Sequence, residues 1–371
     1  MAQSTSHRTM TATIPDLCPE LGLEVPVSEI DRELRKLWEQ DDARTNATLM
    51  NLVVYSEKPG ALLENSAIIR DLTRDHACRA ILVGVDRAQP DASVRAWITA
   101  HCHLAHGLKS VCCEQISLYL TGKVTGRFRN TVFAHLNSDL PLIFWWQGEL
   151  TEIFSERLVS VIDRLIIDSS NWQNPTASFN RIDELTHTNK EIIIQDLEWS
   201  RSWQFRLGIA GLFDDPVAQR ALPDITDIEI IHHPAHRNAA LQLLAWLSVQ
   251  ASWRDGLELD LATTRNPATR QSFALQSKSG TAITAQLIAD PTAAALSSIR
   301  LKASGIELGI TRDPASSHLT RHLQLAGNTL TSLSPADPEI PAQLVAQQLA
   351  RGGKNSLYRK ILPRFRQLLN R

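Results

Sequence analysis

The stretch from Asp139 to Ser170, DLPLIFWWQGELTEIFSERLVSVIDRLIIDSS, constrains this chain more than any other. It joins a Pro-led apolar run ending in Trp145-Trp146 to a second run, Val159 to Ile167. Asp139 and Glu149 bound the first run, and Asp163 and Asp168 lie in and after the second. Apolar runs this short, rich in Ile, Val, Phe and Trp, predict largely buried strands. Successive side chains on a strand alternate, so the two tryptophans point to opposite faces. One indole can enter a core, while the other needs different cover, and such residues are favoured anchors at interfaces.

The 371 residues predict two domains with real cores. A net charge of −2 supplies no whole-protein field for nucleic acid or an anionic membrane. No apolar run approaches the roughly 20 residues of a membrane span, and the polar start, MAQSTSHRTMTATIPD, has no signal-peptide core. The expectation is a cytoplasmic protein with no nucleic-acid or membrane partner. Five cysteines, Cys18, Cys78, Cys102, Cys112 and Cys113, fall in the first third. Their odd number and irregular spacing argue against a disulfide framework, and predict reduced packing thiols, with redox sensing as the alternative.

Residues 1–26, with Pro15, Pro19 and Pro26, are expected to form a mobile leader. A helix is predicted from Ser28, a good N-cap. Strands alternate with helices through TLMNLVVYS, Ala61 to His76, RAILVGVD, VRAWITAHCHLA, VCCEQISLYL and the opening stretch, with a short helix at Thr151 to Glu156. This predicts an N-terminal mixed-sheet α/β domain over 27–172. A C-terminal α+β domain follows over 173–371. It opens with a helix in ASFNRIDELTHTNK, followed by a strand at Ile192 to Ile194, a helix at Glu198 to Phe213, the strand ITDIEIIHH and a helix from His236 to Gln250. LELDLAT, QSFALQSK, TAITAQLIA, SSIRLKA, IELGITRD and HLTRHLQLA then alternate apolar and polar residues at period two, which predicts an antiparallel sheet with one wet face. Two helices close the chain.

Candidate chemistry is sparse. His101 and His103 share a strand face, with His106, His232, His233 or His236 as a third ligand. Neither HExxH nor paired CxxC occurs, so no metal is expected. There is no G-x-S-x-G elbow and no GxGxxG, and Gly352-Gly353-Lys354-Asn355-Ser356 only faintly resembles the tail of a phosphate loop. Strand-end carboxylates Asp139, Glu149, Asp168 and Asp196 suit helix caps and turns better than acid/base pairs. The basic tail, with Arg351, Lys354, Arg359, Lys360, Arg364, Arg366 and Arg371, could meet an acidic partner or be the outer face of a docked helix. Trp199, Trp203, Ala210 and Phe213 recur at helical spacing, interleaved with Arg201 and Arg206.

Taken together, VCCEQISLYLTG, DLPLIFWWQGEL, DRLIIDSS and DLEWSRSWQFRLGIAGLFD resemble the glucose-6-phosphate dehydrogenase assembly protein family, OpcA, over roughly Val111 to Asp214. The resemblance implies a non-catalytic cytoplasmic protein without a cofactor. Its partner would be glucose-6-phosphate dehydrogenase, whose active oligomer it would promote, supporting the oxidative pentose phosphate pathway and NADPH supply. Two departures stand out. Gln147 replaces an Arg common after the paired tryptophans, and Ser202-Trp203-Gln204-Phe205-Arg206 stands where Leu-Thr-Pro-Trp-Arg is usual. Residues expected to contact the partner, or to frame the contact, are Trp145, Trp146, Asp163, Arg164, Asp168, Trp199, Arg201, Trp203 and Arg206. The competing reading is an enzyme acting on a sugar phosphate, lactonase-like, or a sugar-phosphate-binding module. In it the strand-end carboxylates supply acid/base groups and Arg201 or Arg206 holds phosphate.

Overall fold

The computed structural model describes residues 19–39, 44–46, 48–105, 109–123, 125–170, 172–187, 189, 191–256, 269–325, 327–351 and 356–371. The chain divides into two compact units, Met1–Leu165 and Ile166–Arg371.

The first unit runs β1 (Leu23–Val25), α1 (Ile30–Glu39), β2 (Arg44–Asn46), β3 (Asn51–Ser56), α2 (Ala61–Leu72), β4 (Arg79–Asp86), β5 (Ser93–Ala105), β6 (Lys109–Thr121), α3 (Thr125–Phe133), β7 (Leu142–Trp146), α4 (Glu156–Val159) and β8 (Arg164–Ile167), within which the division falls. The strands lie in the order β1-β5-β6-β4-β3-β7-β8. β3 pairs parallel with β4 and β7, and β4 pairs parallel with β6. The long β5 returns antiparallel on β6, and β1 antiparallel on β5. The run β6-β4-β3-β7-β8 is the 3-2-1-4-5 order of a doubly wound nucleotide-binding sheet, with its switch point between β3 and β7. Such a sheet is covered on both faces, and Leu52, Val53, Val54, Ile81, Leu82, Phe144, Trp145 and Trp146 are all buried. The mixed sheet matches the expectation; the need of one indole for an outside partner does not. Trp145 and Trp146 are 2% and 0% exposed, because each face of the sheet has its own cover.

Several local expectations are corrected. Residues 23–25, placed in the leader, form β1 on β5, while residues 1–18, including Cys18, lie outside the described residues. Ser28 does not cap a helix. Pro26, at φ −58°, leads into a 3-10 turn over Val27–Glu29, and α1 starts only at Ile30. The short helix near Thr151 begins later, at Glu156. Cys102 and Cys112 form a disulfide, Cα atoms 4.0 Å apart. They are directly opposed in the β5–β6 register, a proximity that counting cysteines along the sequence cannot reveal. Cys78 and Cys113 stay free and buried, and burial pushes the Cys78 thiol up to about 12.

The second unit continues with α5 (Pro175–Thr186), β9 (Ile193–Asp196), α6 (Leu197–Ser200), α7 (Trp203–Leu212), α8 (Pro216–Ala221), β10 (Asp227–His232), α9 (Arg237–Gln250), β11 (Arg254–Asp255), β12 (Arg270–Gln276), β13 (Ala282–Ala289), β14 (Leu296–Ala303), β15 (Ile306–Thr311), β16 (His318–Leu325), β17 (Asn328–Pro335), α10 (Pro341–Ala350) and α11 (Ser356–Leu369). Eight strands form a sheet in the order β11-β12-β13-β10-β14-β15-β16-β17. Period-two burial along β10, β13 and β14 turns one face to the core. The sheet is antiparallel except that β10 runs parallel to β13, since it enters the middle of the sheet from an earlier point in the chain. α7, α8 and α9 pack on the inner face. Gly208 lets α7 approach β15 closely, because a Cβ there would lie 2.7 Å from Ile310 Cδ1. The predicted strand LELDLAT lies outside the described residues.

The single helix expected from Glu198 to Phe213 is two, broken at Arg201-Ser202. Ser200 Oγ donates to Asp196 O and Ser202 Oγ to Trp199 O, back-bonds that compete with the helix ladder. α11 packs on α9 through buried Tyr358, Ile361, Phe365 and Leu368. Its basic residues are used within the unit: Arg364 and Arg371 pair with Asp255, and Arg366 with Asp183. Lys354 and the glycine pair before it lie outside the described residues.

Candidate functional site: the switch point and a buried charge network

In a doubly wound sheet a dinucleotide lies across the carboxyl ends of the strands at the switch point, its pyrophosphate on a glycine-rich turn after the first strand. The corresponding turn here is Glu57-Lys58-Pro59-Gly60, between β3 and α2, with one glycine and an acid at its start. Glu57 is occupied: Arg87 bonds it at 2.9 and 3.0 Å, and the Tyr55 hydroxyl donates to it at 2.5 Å. Arg87 also pairs with Glu152 and donates to Thr151 Oγ1 at 3.1 Å. Burial, reinforced by Glu57, raises the Tyr55 phenol far above its usual range. Burial opposes the charged form of Arg87, yet Glu57, Tyr55 and Glu152 together raise it.

Across the switch point, Gln147 follows β7 and faces Asn65 on α2. Their amides exchange hydrogen bonds, Gln147 Nε2 to Asn65 Oδ1 at 2.8 Å and Asn65 Nδ2 to Gln147 Oε1 at 3.0 Å. Trp146 stacks on Tyr55, ring centroids 4.2 Å apart, packs edge-on to Phe154, and donates from Nε1 to Glu149 O. Trp145 fills the other face, and its buried Nε1 has no acceptor among the described residues. Asp163 ties β8 to β7, accepting from Leu142 N at 2.7 Å. Arg164 is half-buried, and burial lowers its pKa.

In the second unit the ends of β8 and β9 carry Asp168, Ser169 and Asp196, which meet α6, α7 and α9. Arg201 makes two parallel bonds to Asp168, both 3.0 Å, and one to Glu198 at 2.9 Å. Glu198, fully buried, also accepts from His236 Nδ1 at 2.7 Å and from Ala239 N at 3.0 Å. Asp196 accepts four bonds, from Ser169 N, Ser169 Oγ, Glu198 N and Gln242 Nε2. Its complete burial, with Glu198 adjacent, still pushes it up to about 7. Burial would raise Asp168, but the Arg201 charge holds it below the usual carboxylate range. For His236, burial disfavours the cation, and Glu198 outweighs it to raise the pKa.

A second layer rests on this network. The Arg206 guanidinium lies 3.3 Å from the centroid of Trp199 and donates to Trp199 O and Ser202 O. Arg351 covers half-buried Trp203 at 4.2 Å. Burial lowers Arg206 to about 9, with nearby Asp337 opposing the shift. Asp337, itself buried, accepts from Gln204 N at 2.7 Å and is raised to about 7.

The sites therefore place the expected residues in two groups. Trp145, Trp146, Asp163 and Arg164 frame the sheet of the first unit; Asp168, Trp199, Arg201, Trp203 and Arg206 form one cluster in the second. Sequence reasoning missed Glu198, His236 and Gln242 as members of that cluster, and missed Glu57, Arg87 and Asn65 in the crevice. Glu198, three residues before Arg201, was legible from helical spacing; only registry in the fold brings in the others. The acid/base reading of Asp168 and Asp196 meets carboxylates already engaged: Asp196 is fully buried with four donors, and part-exposed Asp168 is held by both Nη atoms of Arg201. His101 bonds Gln115 and His103 bonds Thr73, while His106 lies outside the described residues. Among the described residues no group of three His, Cys, Asp or Glu could hold a metal, and no helix is long and apolar enough to cross a membrane. A cavity of about 460 Å³ borders the network, lined by Ser169, Trp172, Pro175, Pro234, Arg237 and Asn238 among others. Arg237 there is engaged by Gln271.

The fold and these contacts define a doubly wound α/β protein whose polar side chains at the switch point pair with one another. The chain belongs to the glucose-6-phosphate dehydrogenase assembly family, OpcA. Residues 69–184 match the glucose-6-phosphate dehydrogenase subunit N-terminal domain, and residues 192–362 match the C-terminal domain of the same subunit. It is 28% identical over 252 residues to the OxPP cycle protein OpcA of Synechocystis sp., covering 66% of this chain and 52% of that one. It is 27% identical over 168 residues to the protein of the same name in Nostoc punctiforme, covering 44% and 36%. The chain thus spans about half or less of the length of these relatives. Its fold is similar to the crystal structure of a glucose-6-phosphate 1-dehydrogenase from Mycobacterium avium, with TM-score 0.51 and 11% identity over 88% of this chain and 92% of that one.

Proposed function

We propose that this chain is a non-catalytic, cytoplasmic partner of glucose-6-phosphate dehydrogenase that favours the enzyme's active oligomeric state, and so supports the oxidative pentose phosphate pathway and NADPH supply. Membership of the OpcA family supports this choice of partner. The pairings at the switch point support the absence of catalysis: Glu57, held by Arg87, puts a carboxylate where a pyrophosphate would need donors, and Gln147 is paired with Asn65 beside it. In this reading the chain binds one state of the dehydrogenase more tightly than another and shifts the population toward it. A hundredfold activation needs a difference in affinity of only about 2.7 kcal/mol.

The test measures dehydrogenase velocity against glucose 6-phosphate with and without the chain, and the enzyme's oligomer size in parallel. A lower Km, a higher kcat or a larger assembly supports the proposal. No change in any of the three at micromolar concentration of the chain contradicts it.

A further inference from the structure

β17 ends the eight-stranded sheet, and its outer edge faces solvent. Seven of its eight residues, Asn328 to Leu333 and Pro335, are exposed, including Leu330 at 61% and Leu333 at 67%. Exposed strand edges are normally guarded by charge, an internal proline, a bulge or shortness. NTLTSLSP has no charge, has its only proline at the last position, and keeps an uninterrupted register on β16.

Which backbone groups face outward follows from that register. Ala336 N donates to Ser317 O, and Pro335, which has no N–H, stands opposite His318. Hydrogen-bonded and non-bonded pairs alternate in an antiparallel ladder. The even-numbered residues therefore bond to β16, and Thr329, Thr331 and Leu333 present their N–H and C=O groups to the edge. These three residues are evenly spaced about Thr331.

We infer that β17 pairs with β17 of a second copy of this chain, antiparallel and centred on Thr331. A two-fold axis perpendicular to the sheet preserves its faces, so directly opposed residues must share parity. Centred on Thr331, Thr331 exchanges two bonds with its own equivalent, and Thr329 exchanges two with Leu333 on each side. All six outward groups of the three residues are then satisfied. A centre on Leu330 or Ser332 would leave Leu333 unpaired by Thr329 or set Thr329 against Pro335, which cannot donate. The contact is isologous, so it closes at two chains. The strand carries no charge, so self-pairing opposes no like charges, whereas a highly charged partner strand would gain nothing from it. Leu333 is covered by Thr329 of the second copy, which removes the most exposed apolar side chain of the strand from water. This inference is independent of the proposed dehydrogenase partnership.

Light scattering after size exclusion, across a range of micromolar concentrations of the full chain, tests it. The wild-type chain should give the mass of two copies. Thr331→Pro removes an outward N–H without touching the β16 ladder and should weaken the dimer at least about tenfold while leaving the thermal midpoint near that of the wild-type monomer. If that variant fails to fold, Leu333→Lys, which leaves the backbone intact and places a charge at the edge, should do the same. A single-chain mass for the wild type, or an unchanged two-chain mass in the folded variants, overturns the inference.

Discussion

Gln147 and Asn65 exchange two side-chain hydrogen bonds, 2.8 and 3.0 Å long, across the point where β3 and β7 diverge. Asn65 is 3% exposed and Gln147 part-buried, so the Asn65 amide left alone would be a poorly hydrated polar group. Asn65→Ala or Gln147→Ala should therefore each lower stability by about 1–3 kcal/mol in urea unfolding. The double substitution should cost less than the sum, because it removes both halves of one interaction. Additive losses would mean that the two amides do not act as a pair.

Arg201 is the one cation shared by Asp168 and Glu198 in the buried network. Arg201→Met should be strongly destabilising, by about 3–5 kcal/mol, since it removes the cation that fully buried Glu198 and part-exposed Asp168 share. Adding Asp168→Leu to that variant should recover part of the loss. A loss below about 1 kcal/mol for Arg201→Met, the range of exposed pairs, would contradict a structural role for the network.

Asp337 is raised from 3.8 to about 7 by burial, despite Gln204 N–H and the Arg206 and Arg351 charges. Its native form keeps a proton that the unfolded chain releases, so its contribution is present at low pH and is lost as pH rises from about 4 to about 7. Asp337→Asn should flatten the stability profile across that window. The two slopes should differ by up to about 1.4 kcal/mol per pH unit. Asp196 shifts the same way but is present in both proteins, so the difference isolates Asp337. Parallel profiles would count against this assignment.

The Cys102–Cys112 disulfide closes a short loop at the end of the β5–β6 hairpin. Cys102→Ser should lower stability by about 2–3 kcal/mol under oxidising conditions, through loop-closure entropy of the unfolded chain. In excess reductant the variant and the wild type should converge. A gap that persists in reductant would assign the loss to packing instead.

The α/β and α+β character was legible because the apolar runs were short and periodic, and strands β12 to β16 of the second sheet alternated apolar and polar residues. Trp145 and Trp146 illustrate where such reasoning stops. Alternation correctly put them on opposite faces, but only the parallel pairing of β3 with β7 reveals that both faces are covered. The disulfide was illegible for a related reason, since ten residues of separation become direct opposition only in one hairpin register. β17 escaped notice because NTLTSLSP has two apolar residues on opposite faces and hence no period-two signal. The motif residues Trp199, Arg201 and Arg206 were found from their spacing. His236 and Gln242, which bond Glu198 and Asp196, were not, because no local pattern links α9 to α6 and β9.

The self-paired switch point leads to the proposal that any nucleotide chemistry belongs to the dehydrogenase and none to this chain. Calorimetric titration of the isolated chain with NADP⁺ and NADPH tests it most directly. The account predicts no saturable binding up to about 1 mM ligand, equivalent to an affinity weaker than about −4 kcal/mol. Saturable one-to-one binding with a micromolar dissociation constant, abolished by a bulky substitution at Gly60, would contradict it.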